Sequence, residues 1–177
     1  MSGDALADVL ANLTEALVPL DSHLLTLASV LGFVFVGGGL IRLARTRGLS
    51  TGTGQALGSI VIGFLLFGLK ALILAASTSF FDEEASLTSQ LNLVQTKSLF
   101  QPYIRFAVTC VVLLGLISII RGLIRLRNAS LGIPQSMASA ITHLLAGIVC
   151  VNIVTFARLF GATAGGMVEA VIKSIFS

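Results

Sequence analysis

The chain has 177 residues, of which 55% are hydrophobic and 11% charged, and its mean hydropathy is +1.00. A soluble domain carries about 25% charged residues, so this chain cannot clothe an ordinary soluble core in polar surface, and it belongs with membrane proteins. The net charge of +3 matters less than where the charges sit.

The N-terminus, MSGDALADVL, has no basic region followed by a short apolar core, so no cleavable signal peptide is expected. Residues 4–20 place Leu6, Val9, Leu10, Leu13 and Leu17 on one helical face. The opposite face is acidic, which anionic lipid does not attract. A partner protein, the outer face of the same chain, or a plain interfacial position all fit it.

Four apolar runs follow, at about 24–44, 55–78, 103–125 and 138–160. A bilayer core needs about 20 apolar residues per helix, and only helices satisfy a backbone in lipid outside a closed barrel. The segment STGTGQALGS between the first two runs holds Gly52, Gly54 and Gly58. It lacks the Lys-Ser/Thr ending of a phosphate loop and no strand precedes it, so it reads as a flexible turn. The connector at 79–102 holds a short helix through Leu87, Leu91 and Val94, and the tail after Gly165-Gly166 reads as a last interfacial helix.

Basic residues set orientation. Arg42, Arg45 and Arg47 follow the first run, and Arg121, Arg125 and Arg127 close the third, with no acid beside either cluster. Asp4, Asp8, Glu15 and Asp21 precede the first run, and Asp82, Glu83 and Glu84 lie in the connector. Both basic ends are therefore expected on the cytoplasmic side of a bacterial inner membrane, with both termini periplasmic. Arg121 and Arg125 are four apart and share a helix face. Their repulsion implies an anionic neighbour, most simply a lipid phosphate. The six arginines are the expected lipid- or partner-binding surface.

The chain repeats itself. A shift of 83 places Leu31-Gly32 on Leu114-Gly115 and Gly39-Leu40-Ile41-Arg42-Leu43 on Gly122-Leu123-Ile124-Arg125-Leu126. A shift of 84 places Ala56 on Ala140 and Gly63 on Gly147. The expected fold is all-α, a polytopic membrane protein of four transmembrane helices in two tandem similar hairpins. Amphipathic helices flank them at both ends. The segments are 1–22 (N-terminal), 23–78 (first hairpin), 79–102 (connector), 103–161 (second hairpin) and 162–177 (C-terminal).

Small residues in membranes let helices approach closely. Gly32, Gly38, Gly39, Gly63, Gly115 and Gly147, with Gly161 and Gly165 at GxxxG spacing, are expected to pack helices or build an oligomer interface. Asn152 is expected to bond to a neighbouring helix, in this chain or across a subunit boundary. Lys70 and Arg158 have stems long enough to snorkel to an interface or to form an interhelical pair. Cys110 and Cys150 read as two small buried side chains rather than a disulfide framework. His23 and His143 have no second ligand at metal spacing, and no nucleophile–base pattern stands out. No metal, no cofactor beyond a bound phospholipid, no enzymatic activity and no sequence-specific nucleic-acid binding are expected.

The run LLAGIVCVNIVTFARLFGAT at 144–163 resembles the last span of the IcmC/DotE and DotV group of type IVB secretion proteins. LANLTEALVPLDSHLLTLASVLGFVFVGGGLIRL is similar to the start of those proteins, and the TraQ-type conjugal transfer proteins of IncI plasmids look nearest. The resemblance implies an inner-membrane structural subunit of a secretion or conjugation apparatus, assembled with other membrane subunits and with itself. Each half also resembles the two-span conjugative pilins of the TraA type, which implies a fused pilus subunit with its basic loops facing lumen and lipid. A small transporter or pore is a further alternative, for which Lys70 and Asn152 supply only a thin polar line.

Overall fold

The computed structural model describes residues 3–46, 50–81, 87–94, 100–134, 137–166, 170 and 172. Among the described residues seven helices follow one another: α1 (Gly3–Arg45), α2 (Ser50–Phe67), α3 (Leu69–Phe81), α4 (Leu87–Leu93), α5 (Gln101–Ser130), α6 (Met137–Val151) and α7 (Ile153–Ala164). Among the described residues there is no strand. Among the described residues two helices, α1 and α5, are long and apolar enough to cross a membrane, and the count rises to four spans if each bent pair, α2 with α3 and α6 with α7, is one span.

α1 joins the N-terminal segment and the first apolar run into one helix of 43 residues. At 1.5 Å per residue it is about 65 Å long, twice the roughly 30 Å of a hydrocarbon core. Only part of it fits inside a bilayer. Pro19 lies within the helix without ending it. α5, at 30 residues, is about 45 Å long, the thickness of a bilayer with its headgroups.

The second and fourth apolar runs are not straight spans. α2 and α3 meet at Gly68 with a bend of 79°, and α6 and α7 meet at Asn152 with a bend of 85°. A bend in lipid leaves backbone groups that must find other partners. At the first break Gly68 N–H still donates to Phe64 O (2.9 Å), and Leu72 N–H donates to Gly68 O (2.9 Å). The Ser29 hydroxyl donates to Phe67 O at 3.2 Å. At the second break the Asn152 N–H is shared between Ile148 O and Val149 O, and Val154 N–H donates to Gln90 Oε1 at 3.1 Å.

The segment at 50–58 is also helical rather than a turn, since α2 begins at Ser50. Glycine disfavours a helix interior by about 0.5–1 kcal/mol. Here Gly58 lets α2 approach closely, because an added Cβ would stand 2.8 Å from Ser130.

Contacts divide the chain into two units: Met1–Asp21, Leu74–Leu116 and Ile148–Ser177 in the first, Ser22–Ile73 and Ile117–Gly147 in the second. In the first, Leu91, Val94, Val108, Val112, Val151 and Val154 are buried. In the second, Ala28, Ala56, Ile62, Leu66, Leu69, Ile119, Leu123 and Ala140 are buried. Within the second unit α1 and α2 run antiparallel: Gly32 meets Gly63 and Phe67, and Gly39 meets Ala56 and Ile60. α5 and α6 do the same, with Gly122 against Ala140 and Leu144.

α4 carries the expected Leu91, with Val94 just beyond its end. α7 stops at Ala164, and Gly165 and Gly166 both take positive φ, 65° and 59°. Beyond residue 166 only residues 170 and 172 are described, so the expected C-terminal helix lies outside the described residues. Cys110 and Cys150 are free and half-buried rather than buried.

Candidate functional site

The arginines divide by environment. Arg42, Arg45 and Arg121 are exposed, and Arg47 lies outside the described residues. Arg125 and Arg127 are half-buried and held by the protein itself. Arg125 Nη1 donates to Ser139 Oγ, from α5 to α6. Arg127 Nε donates to Ser59 Oγ of α2 at 3.0 Å, and its guanidinium stacks 3.9 Å from the centre of the Phe35 ring of α1. Ser59 in turn donates to Phe35 O at 3.2 Å. A guanidinium is planar and weakly hydrated, which suits it to an aromatic face.

Arg121 and Arg125 are four apart but do not form one open basic face, because Arg125 bonds to Ser139. The charges left facing outward come from two helices, α1 and α5.

The glycines divide in the same way. An added Cβ at Gly32 would stand 2.5 Å from Gly63 O, and one at Gly63 would stand 2.8 Å from Gly32 O, so neither position accepts a side chain. Gly39 is as tightly placed, with Ile60 Cγ1 at 2.6 Å and Ala56 O at 3.0 Å. Gly115, Gly147 and Gly161 are buried, and Gly161 faces the Ile172 side chain. An added Cβ at Gly38, or at its neighbour Gly37, would meet nothing within 4 Å among the described residues. Gly165 is the C-terminal cap of α7, and an added Cβ there would meet nothing within 4 Å.

In the first unit a buried polar cluster surrounds the second break. Asn152 is fully buried, and its Nδ2 donates to Ser77 Oγ of α3 and to Ile148 O, both at 2.9 Å. Gln90 of α4, also fully buried, accepts from Val154 N–H through Oε1 and donates to Thr155 Oγ1 at 3.4 Å. Arg158 Nη2 donates to Leu93 O at 3.1 Å. α4 thus supplies polar groups to α7 at two points, the Gln90 side chain at its middle and the Leu93 carbonyl at its C-terminal end. Lys70 is exposed. Among the described residues no three His, Cys, Asp or Glu side chains come together.

Comparison with family models, curated proteins and solved structures finds no match. The site is therefore read from its own chemistry. That chemistry is structural: polar side chains secure two helix breaks, and cations bridge helices at one end. Sequence reasoning missed Ser59, Ser77 and Gln90. Short polar residues in apolar runs are the signal that points to Ser59 and Ser77, since such groups need partners in lipid; Gln90, in the connector, carries no such signal.

Proposed function

We propose that this chain is an integral inner-membrane subunit of a type IVB secretion or conjugal DNA-transfer apparatus, acting by assembly rather than catalysis. The observation that carries the assembly reading is the surface of α1. Only 17% of its most apolar stretch is buried, against 56% for α5. Phe33 is 73% exposed, and Leu27, Val30, Val34, Leu40 and Ile41 stand open beside it. Apolar surface of this extent needs lipid or protein to cover it. Gly37 and Gly38 open a flat patch in it, of the kind that lets another helix approach. The secretion and conjugation setting rests on the resemblance of residues 144–163 and of the N-terminal run.

The chain reads as two tandem hairpins, each a long helix followed by a broken one. Four coincidences support this. Gly39 meets Ala56 O and Ile60, and Gly122 meets Ala140 O and Leu144, so the partners shift by 83 and 84 as in the sequence repeat. Phe35 and Ser59 are joined by one serine-to-carbonyl hydrogen bond, and Ser118 and His143, at the same shifts, by another of 2.9 Å. Gly68 and Asn152, the two break points, are 84 apart. The bends, 79° and 85°, are alike.

Both basic ends lie on the cytoplasmic side in this reading, with the termini periplasmic. The test is deletion of the coding sequence in the host and complementation in trans. Transfer falls to the level of a donor lacking the apparatus and returns with the intact chain; unchanged transfer overturns the reading. A filament subunit is the rival, favoured by the exposure of Arg42, Arg45 and Arg121, as a basic lumen requires. A single cysteine placed in the 79–102 connector and labelled on intact donors distinguishes them, since only a filament subunit leaves the cells with sheared pili.

A further inference from the structure

The first unit contains a cavity of about 190 Å³ between the N-terminal part of α1, α4 and the start of α5. Thr14, Glu15, Gln101 and Arg105 form its polar wall, and Val18 and Leu91 stand on the apolar side. Arg105 Nε is buried and has no hydrogen-bond partner, although Glu15 stands on the same cavity wall. A buried cationic N–H left unmatched is costly, so the site calls for an anionic oxygen there. A simple anion fits poorly, because Glu15 repels it. The Thr14 hydroxyl already donates to Leu10 O at 2.8 Å, so toward the cavity it only accepts. The site thus asks for an anion at Arg105 and an N–H cation at Glu15 and Thr14.

We propose that this cavity takes the headgroup of a primary-amine zwitterionic phospholipid, its phosphate on Arg105 and its ammonium on Glu15 and Thr14. Its volume lies below the roughly 300–1,000 Å³ of drug-sized ligand sites, so a headgroup fits and the tails stay outside. Arg105 lies four residues after Gln101, about 6 Å along the axis of α5, at headgroup depth in a span that begins there. The proposal rests on α5 crossing the membrane.

The test uses the full chain, purified and stripped of lipid, with native mass spectrometry of added phosphatidylethanolamine, phosphatidylcholine and phosphatidylglycerol of matched tails. The ethanolamine lipid is retained roughly tenfold better than the glycerol lipid, as one matched charge predicts. It is also retained better than the choline lipid, whose quaternary nitrogen has no N–H to give. Glu15→Gln brings the ethanolamine-to-glycerol ratio near one, Arg105→Gln lowers binding of all three lipids, and Arg105→Lys restores part of it. Glu15 is exposed, so its variant keeps the proposal testable even if Arg105→Gln fails to fold.

Equal retention of the three lipids, or an unchanged ratio in Glu15→Gln, overturns the proposal. Displacement by soluble phosphoethanolamine at matched concentration also overturns it, since the site would then belong to a small molecule. Carbonate extraction of host membranes separates the two failures. Release of the chain removes both the spanning reading and this site, whereas retention with equal lipid binding removes the site alone.

Discussion

The Arg127 guanidinium lies 3.9 Å from the centre of the Phe35 ring while its Nε bonds to Ser59. One cation of α5 thereby holds α1 and α2 at the same point. Cation–π contacts of this kind are worth about 0.5–2 kcal/mol, and the hydrogen bond adds about 1 kcal/mol. Arg127→Ala is expected to lower stability by about 1–3 kcal/mol in chemical unfolding followed in detergent. Arg121→Ala, at an exposed position, shifts it by less than about 0.5 kcal/mol. Equal effects would mean that the Phe35 stack contributes nothing.

Two glycine classes predict opposite outcomes. Gly63→Ala places a methyl 2.8 Å from Gly32 O and Val36 N, where backbone must move. The cost is about 1–3 kcal/mol, as for overpacked cores. Gly38→Ala meets open space and gains about 0.5–1 kcal/mol of helix propensity. Thermal unfolding of the two variants in one detergent compares them directly.

The break at Asn152 sets a distance that a straight helix cannot mimic. α6 and α7 have 15 and 12 residues. With a bend of 85°, the outer ends of α6 and α7, at residues 137 and 164, are roughly 30 Å apart in a straight line, against roughly 40 Å for an unbroken helix. Pulsed electron resonance reads this difference. The shorter distance is expected in the wild type, and Asn152→Leu moves the distribution toward the longer one by removing the bond to Ser77.

Gln90 secures the same break from α4. Gln90→Met removes the acceptor for the buried Val154 N–H at nearly constant volume. An orphaned buried donor costs about 1–3 kcal/mol. Amide exchange at Val154 should accelerate, with little change at Val112 in α5.

The helices were legible because long uninterrupted apolar runs read as helices, and α1 and α5 are long and apolar enough to cross a membrane. The breaks were not. Gly68 is one of 18 glycines, and glycine is tolerated inside membrane helices. What makes Gly68 and Asn152 break points is tertiary: Ser29 takes up the freed Phe67 carbonyl, and Gln90 the freed Val154 amide. The arginines were visible as charges, but the serines that hold Arg125 and Arg127 leave no periodic signal. Arg105, an arginine just inside an apolar run, could have been singled out by the rule that intramembrane charges mark function.

The mass of the assembly extracted from host membranes tests the central claim most directly. The chain alone is 18.4 kDa. In mild detergent, native mass spectrometry should find it in a particle of several times that mass, together with other transfer-apparatus subunits. Gly38→Leu, which fills the open patch on α1, should disperse the particle while leaving the chain folded. A lone chain of 18.4 kDa in the wild-type extract, from cells whose transfer survives deletion of the coding sequence, would contradict the account.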